Sequence, residues 1–131
     1  MGPINWLAVV LATLAFFVVG ALWYGVLLGK VWQREVGLNE PPRGAAAART
    51  MGLTLLAEFV VVAMLAHLFA RTMPPAHVKM MMATGFAGTI MAPALAINYV
   101  HQRRSLVLFL IDAGHFLAGM AAAGAVLVWL G

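Results

Sequence analysis

The chain has 131 residues, 64% of them hydrophobic and 9% charged, with a net charge of +4. A soluble domain carries roughly 25% charged residues, so this chain lacks the polar atoms to cover a water-facing globule, and a soluble single-domain enzyme is excluded. Its apolar content equally excludes a disordered segment, and the reading is one integral membrane domain over residues 1–131.

The first apolar run, Ile4–Leu28, carries no charge. It has no basic n-region and exceeds the 7–15 residues of a signal-peptide core, so it reads as a retained span. The following loop, Gly29–Gly44, opens with an amphipathic piece over residues 30–37 (Lys30-Val31-Trp32-Gln33-Arg34-Glu35-Val36-Gly37). This piece is predicted to lie at the membrane interface and to stop at Gly37 and the Pro41-Pro42 pair. The second run, Ala45–Ala70, is interrupted by Arg49 near its start and by Glu58 and His67. Pro74-Pro75 then stops the helix and pre-sets a turn. The third run is Met80–Tyr99, and the fourth, Leu106–Leu130, carries Asp112 and His115. Each run reaches the ~20 residues that cross about 30 Å of hydrocarbon. The fold class is therefore all-α, a four-transmembrane-helix bundle of up-down topology.

Orientation follows from Lys and Arg. The first loop holds Lys30, Arg34, Arg43 and Arg49, the third Arg103 and Arg104, the second only Arg71 and Lys79. Six against two places the first and third loops in the cytoplasm and both termini outside. Two aromatic belts agree, with Trp6 and Trp129 on one side and Trp23, Tyr24, Trp32 and Tyr99 on the other. The basic residues sit singly between apolar runs and face anionic headgroups. There is no basic stripe with interleaved aromatics on a polar background, so nucleic acid is not an expected partner, although the pI is near 10.4.

Two strings are distinctive. One is Gly20-Ala21-Leu22-Trp23-Tyr24-Gly25 followed by Gly29-Lys30-Val31-Trp32; the other is Asn98-Tyr99 with Arg104-Ser105-Leu106 and Leu108-Phe109-Leu110-Ile111-Asp112-Ala113-Gly114. With four spans in this length, the whole chain resembles a bacterial membrane family catalogued as domain of unknown function 1761. The resemblance implies a four-helix fold in the bacterial inner membrane and supplies no biochemical activity.

Ionisable groups inside a membrane cost about 2.5–3.5 kcal/mol each on insertion scales, which singles out Glu58, Asp112 and His115. Asp112 and His115 are spaced i,i+3 and share a face with Gly119 and Ala122. The sharp reading is a proton, cation or small-solute site between the second and fourth helices, with Asn98 adding an amide. Pro93 lacks an N–H, so the Thr89 carbonyl loses its usual partner and is free to face water or a ligand. The plainer reading is a buried hydrogen-bonded cluster that locks helix packing or serves partner binding. Both stay open, giving either a small oligomeric transporter or ligand-binding membrane protein, or an accessory membrane protein.

No cofactor is expected. There is no cysteine, hence no thiolate site, and no paired motif such as His-Glu-x-x-His. The three consecutive methionines Met80-Met81-Met82 point in different directions around a helix. A nucleophile–base signature for an intramembrane enzyme is also lacking. Small residues repeat every four positions at Ala21, Gly25 and Gly29 and at Gly88, Ala92 and Ala96, with Gly119 in the fourth helix. Such faces permit close helix approach, either within one bundle or between copies in a homo-oligomer. Small multidrug transporters are a poor analogy, because their carboxylate lies in the first helix and here that helix has none.

Overall fold

The computed structural model describes residues 3–38, 40 and 43–131; Asn39 and the Pro41-Pro42 pair, part of the expected stop after the interfacial piece, lie outside the described residues. The described residues form five helices and no strand. These are α1 (Trp6–Leu27), α2 (Gly29–Val36), α3 (Gly44–Thr72), α4 (Ala76–His101) and α5 (Leu106–Leu130). All but α2 are long and apolar enough to cross a membrane.

Local chemistry sets the ends of these helices. Asn5 caps α1, its side-chain oxygen accepting from Ala8 N at 3.2 Å, and Ser105 caps α5, accepting from Leu108 N at 3.0 Å. α2 ends at Gly37, whose φ of 87° is the left-handed conformation glycine adopts without strain. There Leu38 N donates to Gln33 O and closes the turn. Pro75 caps α4, so this helix starts at Ala76, four residues before the uninterrupted apolar run. Proline stops the preceding helix without opposing the next one.

Two helices are not regular throughout. α1 widens into a π-helix over Leu22–Leu27, where Leu28 N reaches back five residues to Trp23 O, and α4 does so over Ala87–Met91. The second π segment lies directly before Pro93 on α4, where a missing N–H interrupts the regular ladder. Thr89 Oγ1 turns back to donate to Gly85 O.

α5 is the most buried span and α4 the least. α5 packs against α1 on one side and α4 on the other, while α3 packs mainly on α1. α1 and α5 run in opposite directions, since Asn5 Nδ2 donates to Leu130 O at one end and Trp23 Nε1 to Ile111 O at the other. The core joins Ala8, Ala12 and Phe16 of α1 with Val62 and Leu65 of α3, Ala83 of α4, and Met120 and Ala123 of α5. Between apolar helices in lipid there is little hydrophobic drive, so close contact and dispersion carry this packing. Glycines make the contact possible. A Cβ at Gly119 would overlap the Phe16 ring; one at Gly114 would stand 2.9 Å from Trp23 Cζ2, and one at Gly124 2.8 Å from Ala83 Cβ.

Candidate intramembrane polar site

Three helices bring one polar group each to a point near the end of the bundle that carries the basic loops. On α5, Asp112 is buried. Tyr24 of α1 donates its hydroxyl to Oδ1 at 2.5 Å, and Tyr99 of α4 donates its hydroxyl to Oδ2. Within the π-helical turn of α1 the consecutive Trp23 and Tyr24 both meet α5, one at Ile111 O and the other at Asp112. Asp112 thus has both oxygens occupied, by partners from two different helices.

One turn deeper, His115 is set among rings. Its centroid lies 4.9 Å from Tyr24, 5.6 Å from Phe16 and 5.3 Å from Phe116. Its Nε2 abuts Gly20, where an added Cβ would stand 2.9 Å away. Among the described residues, His115 Nε2 and Glu58 Oε2 are the two buried side-chain polar atoms without a hydrogen-bond partner. Both side chains are 6% exposed. Glu58 heads the buried stripe Glu58-Val62-Leu65-Phe69 on α3. Thr13, with Val10 and Leu14 of α1, shares a cleft with Leu55, Leu56 and Phe59, which sets Glu58 near the level of Thr13. His115 stands level with Gly20, so the two are separated along the bundle by roughly two helical turns, about 10 Å.

Helix α2 closes the arrangement. Trp32 of α2 packs edge-on against Tyr24 at 5.6 Å, and Glu35 accepts a 2.5 Å hydrogen bond from Ser105 Oγ, the cap of α5.

The candidate residues therefore separate. Asp112 and His115 share one face and one neighbour, Tyr24. The partners of Asp112 come from α1 and α4 rather than from α3, because α3 leans on α1 and scarcely touches α5. Asn98 is exposed and stands outside the cluster; its neighbour Tyr99 takes the place expected for it. Thr89 and Ala21 are exposed, Ala92 is half-buried, and among the described residues Gly25 and Gly88 have no neighbour within 4 Å of an added Cβ. Gly29 is buried, and a Cβ there would meet Tyr24 O. Tyr24, Tyr99, Trp23 and Gly20 were missed as site residues. For the three aromatics the available signal was their aromatic-belt positions, because a phenol or indole at an apolar boundary needs a partner for its O–H or N–H. No group of three or more His, Cys, Asp or Glu that could hold a metal occurs among the described residues. Two clefts lie elsewhere, one of about 220 Å³ beside Asn5, Phe69 and Lys79 at the terminal end, the other of about 320 Å³ between α1 and α3.

A family model described as Protein of unknown function (DUF1761) matches residues 7–128, nearly the whole chain. No curated protein and no solved structure matches it.

Proposed function

We propose that this chain, which belongs to the DUF1761 family, handles protons or a small cation inside the membrane through His115 and Glu58, with Asp112 holding the helices that form the site. Transport is the activity that best suits such groups, since carboxyl and imidazole groups within a membrane mark ion and proton pathways. One observation carries the proposal: among the described residues two buried polar atoms lack partners, whereas the third buried ionisable group, Asp112, has two. A buried donor or acceptor left unpaired costs about 1–3 kcal/mol. A purely structural cluster gains nothing from that cost, whereas a site that takes up and releases an ion requires an open valence.

A second reading is favoured by a different observation. The occupied oxygens of Asp112 suit a clasp whose work is packing, as in an accessory membrane protein. The two readings assign different residues. In the proposed setting the chain lies in a bacterial inner membrane as a homo-oligomer, with the first and third loops cytoplasmic.

The test is proton uptake by the purified protein in liposomes after an external pH jump, followed with a pH-sensitive dye. Glu58→Gln and His115→Gln are each expected to lower uptake at least about twofold, with the unfolding temperature held within about 5 °C. Unchanged uptake in both variants would overturn the proposal. Loss of folding in both would assign the groups to packing instead.

A further inference from the structure

Tyr24 occupies two positions at once. Its ring lies edge-on over the His115 imidazole at 4.9 Å, and its hydroxyl is bonded to Asp112 at 2.5 Å. On its outer side the ring meets Trp32 of α2 at 5.6 Å. Behind it, α1 is π-helical over Leu22–Leu27 and then turns at Leu28 (φ −124°, ψ 8°) into the interfacial helix. A π segment trades regular hydrogen-bond geometry for an extra residue and recurs at functional sites. From α1 the imidazole is met by Gly20, which offers no side chain, by the Phe16 ring on its deeper side and by the Tyr24 ring on the side of the basic loops. Movement of the phenol therefore takes away the ring that α1 places over the imidazole on that side.

We propose that the Tyr24 ring is the gate between His115 and the end of the bundle bearing the basic loops, latched by Asp112 and braced by Trp32. The inference rests on the reading of His115 as a proton or cation site, and it names the residue that regulates access to it. Tyr99 keeps the latch in place by occupying the second oxygen of the same carboxyl group. Glu35, bonded to Ser105, ties α2 to α5, so displacement of the interfacial helix removes the Trp32 brace. Tyr24 acts through position and touches His115 only by its ring edge.

The chain has no cysteine, so a single introduced thiol reports access without background. The experiment places His115→Cys in liposomes and measures its labelling by a membrane-impermeant methanethiosulfonate added from either side. Tyr24→Phe, which keeps the ring and removes the latch, is expected to raise the labelling rate about tenfold from the side of the basic loops, the equilibrium effect of one hydrogen bond to a carboxylate. Tyr24→Ala is expected to raise it further. Trp23→Phe is the control. It removes the bond to Ile111 O at the same level and is expected to lower stability without changing the labelling.

Equal acceleration by Trp23→Phe overturns the proposal, as does an unmodified rate in Tyr24→Ala. Should His115→Cys fail to fold, carbethoxylation of the native His115 by diethyl pyrocarbonate, read by mass spectrometry, replaces the thiol. His67, His77 and His101, all exposed, then serve as internal references, and the same ordering of variants is required. Proton uptake in the Glu58→Gln and His115→Gln proteins is measured separately. Normal uptake in both, with gated labelling intact, sinks the proton-site reading and leaves Tyr24 as a barrier to access alone.

Discussion

Asp112 and His115 are three residues apart on one face of one helix, yet they are held in different ways. Asp112 accepts from two tyrosine hydroxyls, whereas His115 is enclosed by rings and finds no partner for Nε2. The difference decides what substitution does. Asp112→Ala leaves two hydroxyls without their acceptor, at about 1–3 kcal/mol each. It is expected to lower the unfolding temperature in detergent by about 10 °C or more. Tyr99→Phe removes one bond and leaves one Asp112 oxygen without a donor while Tyr24 still holds the other, so its loss is smaller. Equal stability of Asp112→Ala and the parent chain would remove the clasp from the account. The i,i+3 spacing of Asp112 and His115 was legible in the sequence. The partners of Asp112 were not, because Tyr24 and Tyr99 lie 88 and 13 residues away, and nothing local to a tyrosine states which carboxylate it will meet.

At the scale of elements, the caps double as ties. Ser105 satisfies the first turn of α5 and also donates to Glu35 of α2; Asn5 caps α1 and also donates to the last turn of α5. Ser105→Ala is therefore expected to cost about 1 kcal/mol through the cap and also to release α2. Hydrogen exchange should then quicken across Gly29–Val36, and Glu35→Gln should quicken it less. If exchange in α2 stays as slow as in the parent, the tie does not hold that helix. Pro93 marked the irregularity of α4 from the sequence, and a π-helical segment lies just before it. The π-helix of α1 contains no proline. It coincides with the two aromatic contacts to α5, so tertiary contact there outweighs the regular local ladder.

Across the whole molecule, the two ends are chemically distinct. Trp23, Tyr24, Trp32, Tyr99 and the Glu35–Ser105 bond gather at the end of the basic loops. The other end holds Asn5, Leu130 and Lys79, whose ammonium lies 5.7 Å over the Phe69 ring. With Lys and Arg six to two in favour of the first end, a phosphatase reporter fused at residue 131 is expected to be active outside the cell. A reporter placed in the turn at Arg103 is expected to be silent. The opposite pattern would invert the proposed orientation and move the Tyr24 gate to the outer face.

The apolar runs by themselves determined an all-helical chain with four membrane-length helices, since a polar backbone in hydrocarbon must satisfy itself within each segment. They also singled out the three buried ionisable groups by their cost. Only the tertiary structure decided which way each helix faces. A helix that is apolar all round carries no stripe to mark its inner side, and a glycine gives no sign of what will approach it. Gly119 against Phe16, and Gly20 against His115, are set by register between helices, while at Gly25 and Gly88 an added Cβ would find no neighbour within 4 Å among the described residues. For the same reason α3 leans on α1, and Asp112 meets tyrosines from α1 and α4 rather than Glu58. Dispersion at short range selects one close-packed arrangement from many of similar hydropathy, and that selection is made between helices and not within them.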